Sequence, residues 1–419
     1  MKKLIALMLL VLSVLVLASC GGDGSEETTK KKVKITNPPV ESTAEPETKV
    51  DLSTLYKVVE FDKSKDFRTT VVNKMKEMGS IEWTCTKSFK ISQKYEGWDV
   101  NYGFTEGVVY HGIPYADKPT GLFEFSRRVV DGKYTDGDKD VNDMPSIYGL
   151  QCVTSVNFAI QSCINFDANA SRFYNPAHEE FMSDHFDVLG DIEVIKDGDT
   201  KTSVIKNGAQ KMAEAYALLE PGDIVFEGSG YNHARLISGK TRVVKNDKGQ
   251  ISLTQSKVIT CEQVNQLESG HDAAFIKKNG YDSTWWIDHE YSFNDLFGHN
   301  YMPITLKEYG HENDADAPYV ALDNEIKAET LAKGSINGSV SSNMPLRYVL
   351  YQLVDANGKV VSETIGSNRY KRSGFTISNI YNADSLFANA VHGQTYTFRM
   401  YGCIVAGEAL LSEVNFTFN

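Results

Sequence analysis

Two residues far apart in this chain stand where nucleophilic chemistry needs them. Cys152 lies in Tyr148-Gly149-Leu150-Gln151-Cys152-Val153, just after the chain breakers Pro145 and Gly149. Val153, Val156, Ala159, Ile160 and Ile164 then recur at helical spacing, so the cysteine opens a helix. In that position the helix dipole and free backbone N–H groups favour the thiolate, and the same amides can hold a developing oxyanion. Cys163 returns near the same helical face further on and reads as a small buried hydrophobe in the helix core. The chemistry belongs to Cys152.

A thiolate needs a base. Leu219-Glu220-Pro221-Gly222-Asp223-Ile224-Val225-Phe226 reads as a turn followed by a buried strand. After a short connection, His233-Ala234-Arg235-Leu236-Ile237-Ser238-Gly239 reads as a second strand. Histidine at the first position of the return strand puts its ring at the sheet edge, where a helix N-terminus can meet it. Cysteine arithmetic points the same way. With Cys20 set aside, Cys85, Cys152, Cys163, Cys261 and Cys403 are odd in number, so at least one thiol has no partner for a disulfide.

These residues resemble a known family. Tyr-Gly-x-Gln-Cys-Val entering a helix, then Pro-Gly-Asp-Ile-Val-Phe, then His-Ala-x-Leu-Ile, is similar to the CHAP and NlpC/P60 group of papain-like cysteine peptidases and amidases, over about residues 148–263. The resemblance implies an α+β fold in which a papain-like domain is built on an antiparallel sheet. It assigns Cys152 as nucleophile and His233 as base. The third member in CHAP-type enzymes is an acid or amide on the next strand, and Ser256 to Gln263 supplies that strand, which makes Glu262 the expected partner of the imidazole. Asp288 and His289 are the alternatives. Two features depart from the pattern: the run from Lys240 to Gln255 is longer than compact members need, and Val264 stands where an Asn would follow. The substrates so implied are amide or peptide bonds of peptidoglycan stem or cross-bridge peptides.

Other side chains are candidates for the cleft. Tyr148 and Gln151, beside the nucleophile, are expected to assist the oxyanion. Tyr110 and Tyr115, from an aromatic, turn-rich stretch, and the pair Trp285-Trp286 after the third strand offer stacking surfaces for sugar or peptide. The strand Tyr301 to Thr305 closes the body.

The elements that position these groups can be placed by pattern. Phe67, Val71, Val72, Met75 and Met78 give a short amphipathic helix, and residues 51–317 form the catalytic body with an N-terminal extension. From 318 to 419 the texture turns to alternating runs such as Arg347 to Val354, with Asn357-Gly358 at a turn. That pattern predicts an all-β sandwich, which resembles the immunoglobulin-like or fibronectin-like modules of exported bacterial enzymes. Asp136, Asp138 and Asp140 begin like a calcium loop but lack its turn glycine and closing Glu. His178-Glu179 lacks the second His of a zinc-peptidase helix. No metal or cofactor is expected.

The 419 residues are 41% hydrophobic, 23% charged and 11% aromatic, a globular composition with a net charge of -12. Residues 1–19 read as a secretory signal, with two lysines ahead of an apolar run. Leu17-Ala18-Ser19-Cys20 resembles the lipobox of bacterial lipoproteins, which implies lipidation at Cys20. Residues 20–50 have too few large apolar side chains to fold and read as a polar tether. Loss of the signal, with its two lysines and no acid, would leave -14. Such a chain repels phosphate backbones, and nucleic acid is excluded as a partner. The expectation is therefore a monomeric cysteine hydrolase, lipid-anchored on the outer face of a bacterial membrane and facing the cell wall. The competing readings are a non-catalytic glycan- or peptide-binding lipoprotein and an acyltransferase or amidase with a non-wall substrate.

Overall fold

A computed structural model describes residues 51–61, 66–95, 98–136, 147–165, 171–196, 199–230, 232–267, 273–312, 316–366, 375–376 and 383–419. The expected signal, Cys20 and the tether lie outside these residues, as do Asp138 and Asp140 of the rejected calcium pattern. Among the described residues no helix is long and apolar enough to cross a membrane, and no disulfide forms.

The fold is mixed α+β with several antiparallel sheets. Its centre is a six-stranded sheet in the order Trp285–Ser292, Lys257–Gln263, His233–Arg242, Ile224–Glu227, Met302–Leu306, Phe186–Val188, each strand antiparallel to its neighbours. Strand alternation explains why apolar residues run continuously here: both faces are covered. Ile224, Phe226, Ala234, Leu236 and Cys261 pack on one side with the helix Cys152–Ile160 and the helix Phe67–Ser80. Val225, Ile237 and Val258 pack on the other with Val204, Met212 and Tyr216 of the helix Thr200–Tyr216. The cysteine helix stops at Ile160, so Cys163 lies past its end rather than in its core, yet it is buried at 1% exposure.

A smaller sheet in the N-terminal extension, with strands Glu82–Cys85 and Val109–His111 at its middle, wraps an aromatic core. Trp83 contacts Phe104, Tyr110, Phe125 and Tyr134 with ring centroids 5.0 to 6.2 Å apart.

The C-terminal region is two four-stranded sheets sharing one core, with Val320 and Val340 from one sheet meeting Val349, Tyr351, Phe398 and Phe416 from the other. One of its strands comes from the far end of the chain. Lys57–Glu60, expected in the catalytic body, pairs with Tyr319–Leu322, so the boundary at 317 is crossed by the N-terminal segment. The two units are also docked. Phe123 packs against Tyr348, Leu350 and Cys403, Arg347 makes a two-pronged ion pair with Glu124, and Arg127 pairs with Glu408.

Candidate active site

The site forms where the cysteine helix meets the start of the His233 strand. Gln151 at the N-cap has extended backbone angles, and its N–H donates to Thr154 Oγ1 at 2.8 Å, which fixes the first turn. Gly149 lets the incoming chain lie against residues 114–116. A Cβ there would sit 2.3 Å from the Pro114 carbonyl oxygen, so no larger residue fits. The segment it abuts is tied to the sheet at Ile113, whose carbonyl accepts from Gln263 Nε2 at 2.8 Å and Trp285 Nε1 at 2.7 Å. These contacts place Cys152, Tyr115 and the sheet in one frame.

Cys152 is 7% exposed. Burial opposes its ionisation. The His233 charge and hydrogen bond, with backbone N–H groups of Ala234 and Val153, outweigh that opposition and hold the thiol below its ordinary range. His233 is the counterpart. Burial disfavours its cation, yet the neighbouring thiolate and then Glu262 raise it to about 9. Both shifts favour a thiolate–imidazolium pair.

His233 Nε2 donates to Glu262 Oε2 at 2.6 Å, which leaves Nδ1 for the sulfur. Glu262 is 1% exposed and fully engaged: Arg235 Nε donates to the same Oε2 at 2.9 Å and the Tyr291 hydroxyl donates to Oε1 at 2.6 Å. Against its burial, Arg235 and then His233 and Tyr291 hold the carboxyl at about 2. A thiol, an imidazole and a carboxyl side by side, each with perturbed ionisation, are the side-chain types that nucleophilic catalysis uses.

The remaining sequence candidates divide. Tyr115 joins the site: it is 7% exposed, and burial followed by the nearby Cys152 sulfur pushes its ionisation well above the ordinary range. The Gln151 side-chain amide donates to Asp117 Oδ1. Trp286 is half-buried on the strand beside Glu262, its ring 4.5 Å from His289 and 6.5 Å from Tyr291.

Three candidates go elsewhere. Tyr110 is 3% exposed inside the Trp83 cluster, and its hydroxyl accepts from the Thr105 N–H. Trp285 is 2% exposed and fills the space that Gly112 leaves at φ +82°, where a Cβ would lie 2.2 Å from its ring. Neither can stack on a ligand. The Tyr148 ring lies against Lys118 Nζ at 3.8 Å and the Arg128 guanidinium at 3.3 Å, so it is occupied by cations rather than aimed at the oxyanion. Of the alternatives to Glu262, Asp288 is taken by Lys76 and Ser238, and His289 packs on Trp286 and Tyr291.

Arg235 and Tyr291 are the residues sequence reasoning missed. Arg235 had a visible signal: it lies two positions after His233, hence on the same face of one strand. Among the described residues no group of three or more His, Cys, Asp or Glu side chains is gathered to hold a metal ion, and His178 Nδ1 accepts from the Glu180 N–H instead. Comparison of the chain with protein-family models, curated proteins and solved structures finds no match in any of the three.

Proposed function

We propose that this chain is a papain-like cysteine hydrolase of the CHAP and NlpC/P60 type, cleaving amide or peptide bonds in peptidoglycan stem or cross-bridge peptides. The observation that carries the reading is the line Cys152, His233, Glu262, with the acid fully buried and hydrogen-bonded to the base. A pure binding protein has no use for a thiol held below its ordinary range beside a raised histidine. The C-terminal pair of sheets is proposed as an immunoglobulin-like or fibronectin-like module. A lipid anchor at Cys20 on the outer face of a bacterial membrane rests on the sequence Leu17 to Cys20 alone.

In this mechanism the Cys152 thiolate adds to the amide carbonyl, and the oxyanion is met by the Cys152 N–H and the Tyr115 hydroxyl. His233 gives its proton to the leaving amine as the C–N bond breaks, leaving a thioester. Neutral His233 then takes a proton from water, hydroxide adds to the thioester, and the thiolate leaves. Glu262 keeps the ring oriented and its cation stable throughout.

The test is digestion of muropeptides by protein lacking residues 1–19, compared with Cys152→Ala. New amine and carboxyl ends are expected from the native chain alone. Equal product from both would remove Cys152 as nucleophile, and no product from either would favour a binding protein.

A further inference from the structure

The acid that faces His233 is not held by His233 alone. Arg235 and His233 both donate to Glu262 Oε2, at 2.9 and 2.6 Å, so one oxygen serves two cations. Strand geometry makes this sharing possible. Residues two apart project to the same face of a strand, roughly 6.5 Å from one another, and Leu236 pairs with Cys261 in the neighbouring strand, which brings Glu262 alongside both. The guanidinium is also fixed in orientation, its carbon 3.8 Å from the Tyr291 ring and 4.5 Å from the Tyr301 ring. A flat, permanently charged group fits between two rings in a way that an ammonium does not.

We infer that Arg235 is a positioning residue of the active site: by occupying Glu262 Oε2 it keeps the acid ionised and the proton on His233, and it brings the buried cluster to zero net charge so that Cys152 can exist as thiolate. The inference rests on Cys152 being the nucleophile. Thiolate, imidazolium, carboxylate and guanidinium alternate in sign and sum to zero. Without the guanidinium, the same three groups would carry one uncompensated negative charge in a buried site, and the least costly remedy is to protonate the sulfur. Proton transfer from His233 to Oε2 is likewise opposed while that oxygen accepts from Arg235.

Other titratable groups face the cluster. His289 and Tyr291 come from the edge strand, Tyr301 from the chain before Met302, Tyr115 from the Ile113 segment, and Glu227 lies near Tyr301 on the adjoining strand. Burial lowers His289 below its ordinary value, which disfavours its cation. The tyrosines are raised and stay protonated. Acidic side chains stand at the cluster's margin, Glu227 beside Tyr301, Asp117 beside Tyr115, and Glu290 and Asp295 near His289; within the cluster itself the charges in balance are those of Cys152, His233, Glu262 and Arg235.

The sign of the test follows directly. Removing a buried positive charge raises the pKa of every acid near it, thiol and imidazolium alike. The rate of Cys152 alkylation by iodoacetamide is measured from pH 4 to 10 on the chain lacking residues 1–19, with Cys152→Ala as background and circular dichroism as the check on folding. Arg235→Met is expected to move the acid-side midpoint up by about one pH unit and to slow alkylation on that limb about tenfold. Arg235→Lys, which keeps the charge, is expected to stay within a few tenths of the native midpoint. A folded Met variant with an unmoved midpoint overturns the inference. If the Met variant does not fold, the Lys variant decides alone: a native midpoint supports the charge role, and a shift of about one unit or more overturns it. Alkylation needs no substrate, so failure of the hydrolase reading would appear in the muropeptide digest and leave this result standing.

Discussion

Replacing Glu262 with glutamine removes one charge from the buried cluster and almost no volume. The carboxyl is 1% exposed and accepts from His233, Arg235 and Tyr291. It is held at about 2 against an ordinary value of 4.5, so the folded state favours its charged form by about 3 kcal/mol, at about 1.4 kcal/mol for each pH unit. Because the folded value is the lower one, this stability is present above pH 4.5 and is lost as pH falls toward 2. The glutamine variant should therefore be about 3 kcal/mol less stable at pH 7, where Arg235 is left buried without a counter-charge. At pH 3 only about 1 kcal/mol of that difference should remain, since the native carboxylate has by then lost most of its advantage. Urea unfolding followed by tryptophan fluorescence reads the right unit, because Trp83, Trp98, Trp285 and Trp286, the only tryptophans, all lie outside the C-terminal sheets. A loss below about 1 kcal/mol at pH 7, or a loss of equal size at pH 7 and pH 3, would refute the reasoning.

Two further outcomes follow. Tyr115→Phe removes the hydroxyl beside the sulfur and should lower kcat on a muropeptide about 100-fold with little change in KM, and an unchanged kcat would take Tyr115 out of the oxyanion site. Arg347→Met leaves Glu124 without its counter-charge where both side chains are nearly buried, at 10% and 12% exposure, with the Gly121 N–H still donating to it, and should cost about 3 kcal/mol. In calorimetry it should also separate the unfolding of the two docked units, and a single native-like transition would show that this contact does not couple them.

What the sequence showed of this molecule tracks how local each cause is. The helix at Phe67, the cysteine at a helix mouth and the histidine opening a strand each follow from patterns within a dozen residues, and the structure places all three as read. Glu262 was reached through the order of motifs in a resembling family, because spacing cannot say which strand lies beside which. Arg235 and Tyr291 escaped because their roles depend on register. An irregularity between Thr260 and Glu262, with Asp288 at φ +54°, sets which edge-strand residue reaches the carboxylate. Tyr110 and Trp285 lie elsewhere than expected because an aromatic side chain, in a turn-rich stretch or after a strand, looks the same in sequence whether it lines a cleft or fills a small core. The pairing of Lys57–Glu60 with Tyr319–Leu322 joins the N-terminal segment to the first strand of the C-terminal unit, and no local pattern announces a contact of that range.

Register also gives the site a rule of its own. An amide in the third position of a cysteine–histidine site is cheap to bury, whereas a carboxylate must be offset by more than a histidine that gives up its charge during each cycle. In the proposed mechanism the offset is permanent, since Arg235 stays charged while His233 would pass its proton to the leaving group and take it back from water. The two donors must lie on one strand face to share one oxygen, which requires the spacing His-x-Arg at the start of that strand, with Glu on the next. A chain with His-x-Arg and an Asn in place of Glu262 would bury a guanidinium without a counter-charge. The arginine and the acid therefore belong together, and removing one alone is expected to cost both stability and the thiolate.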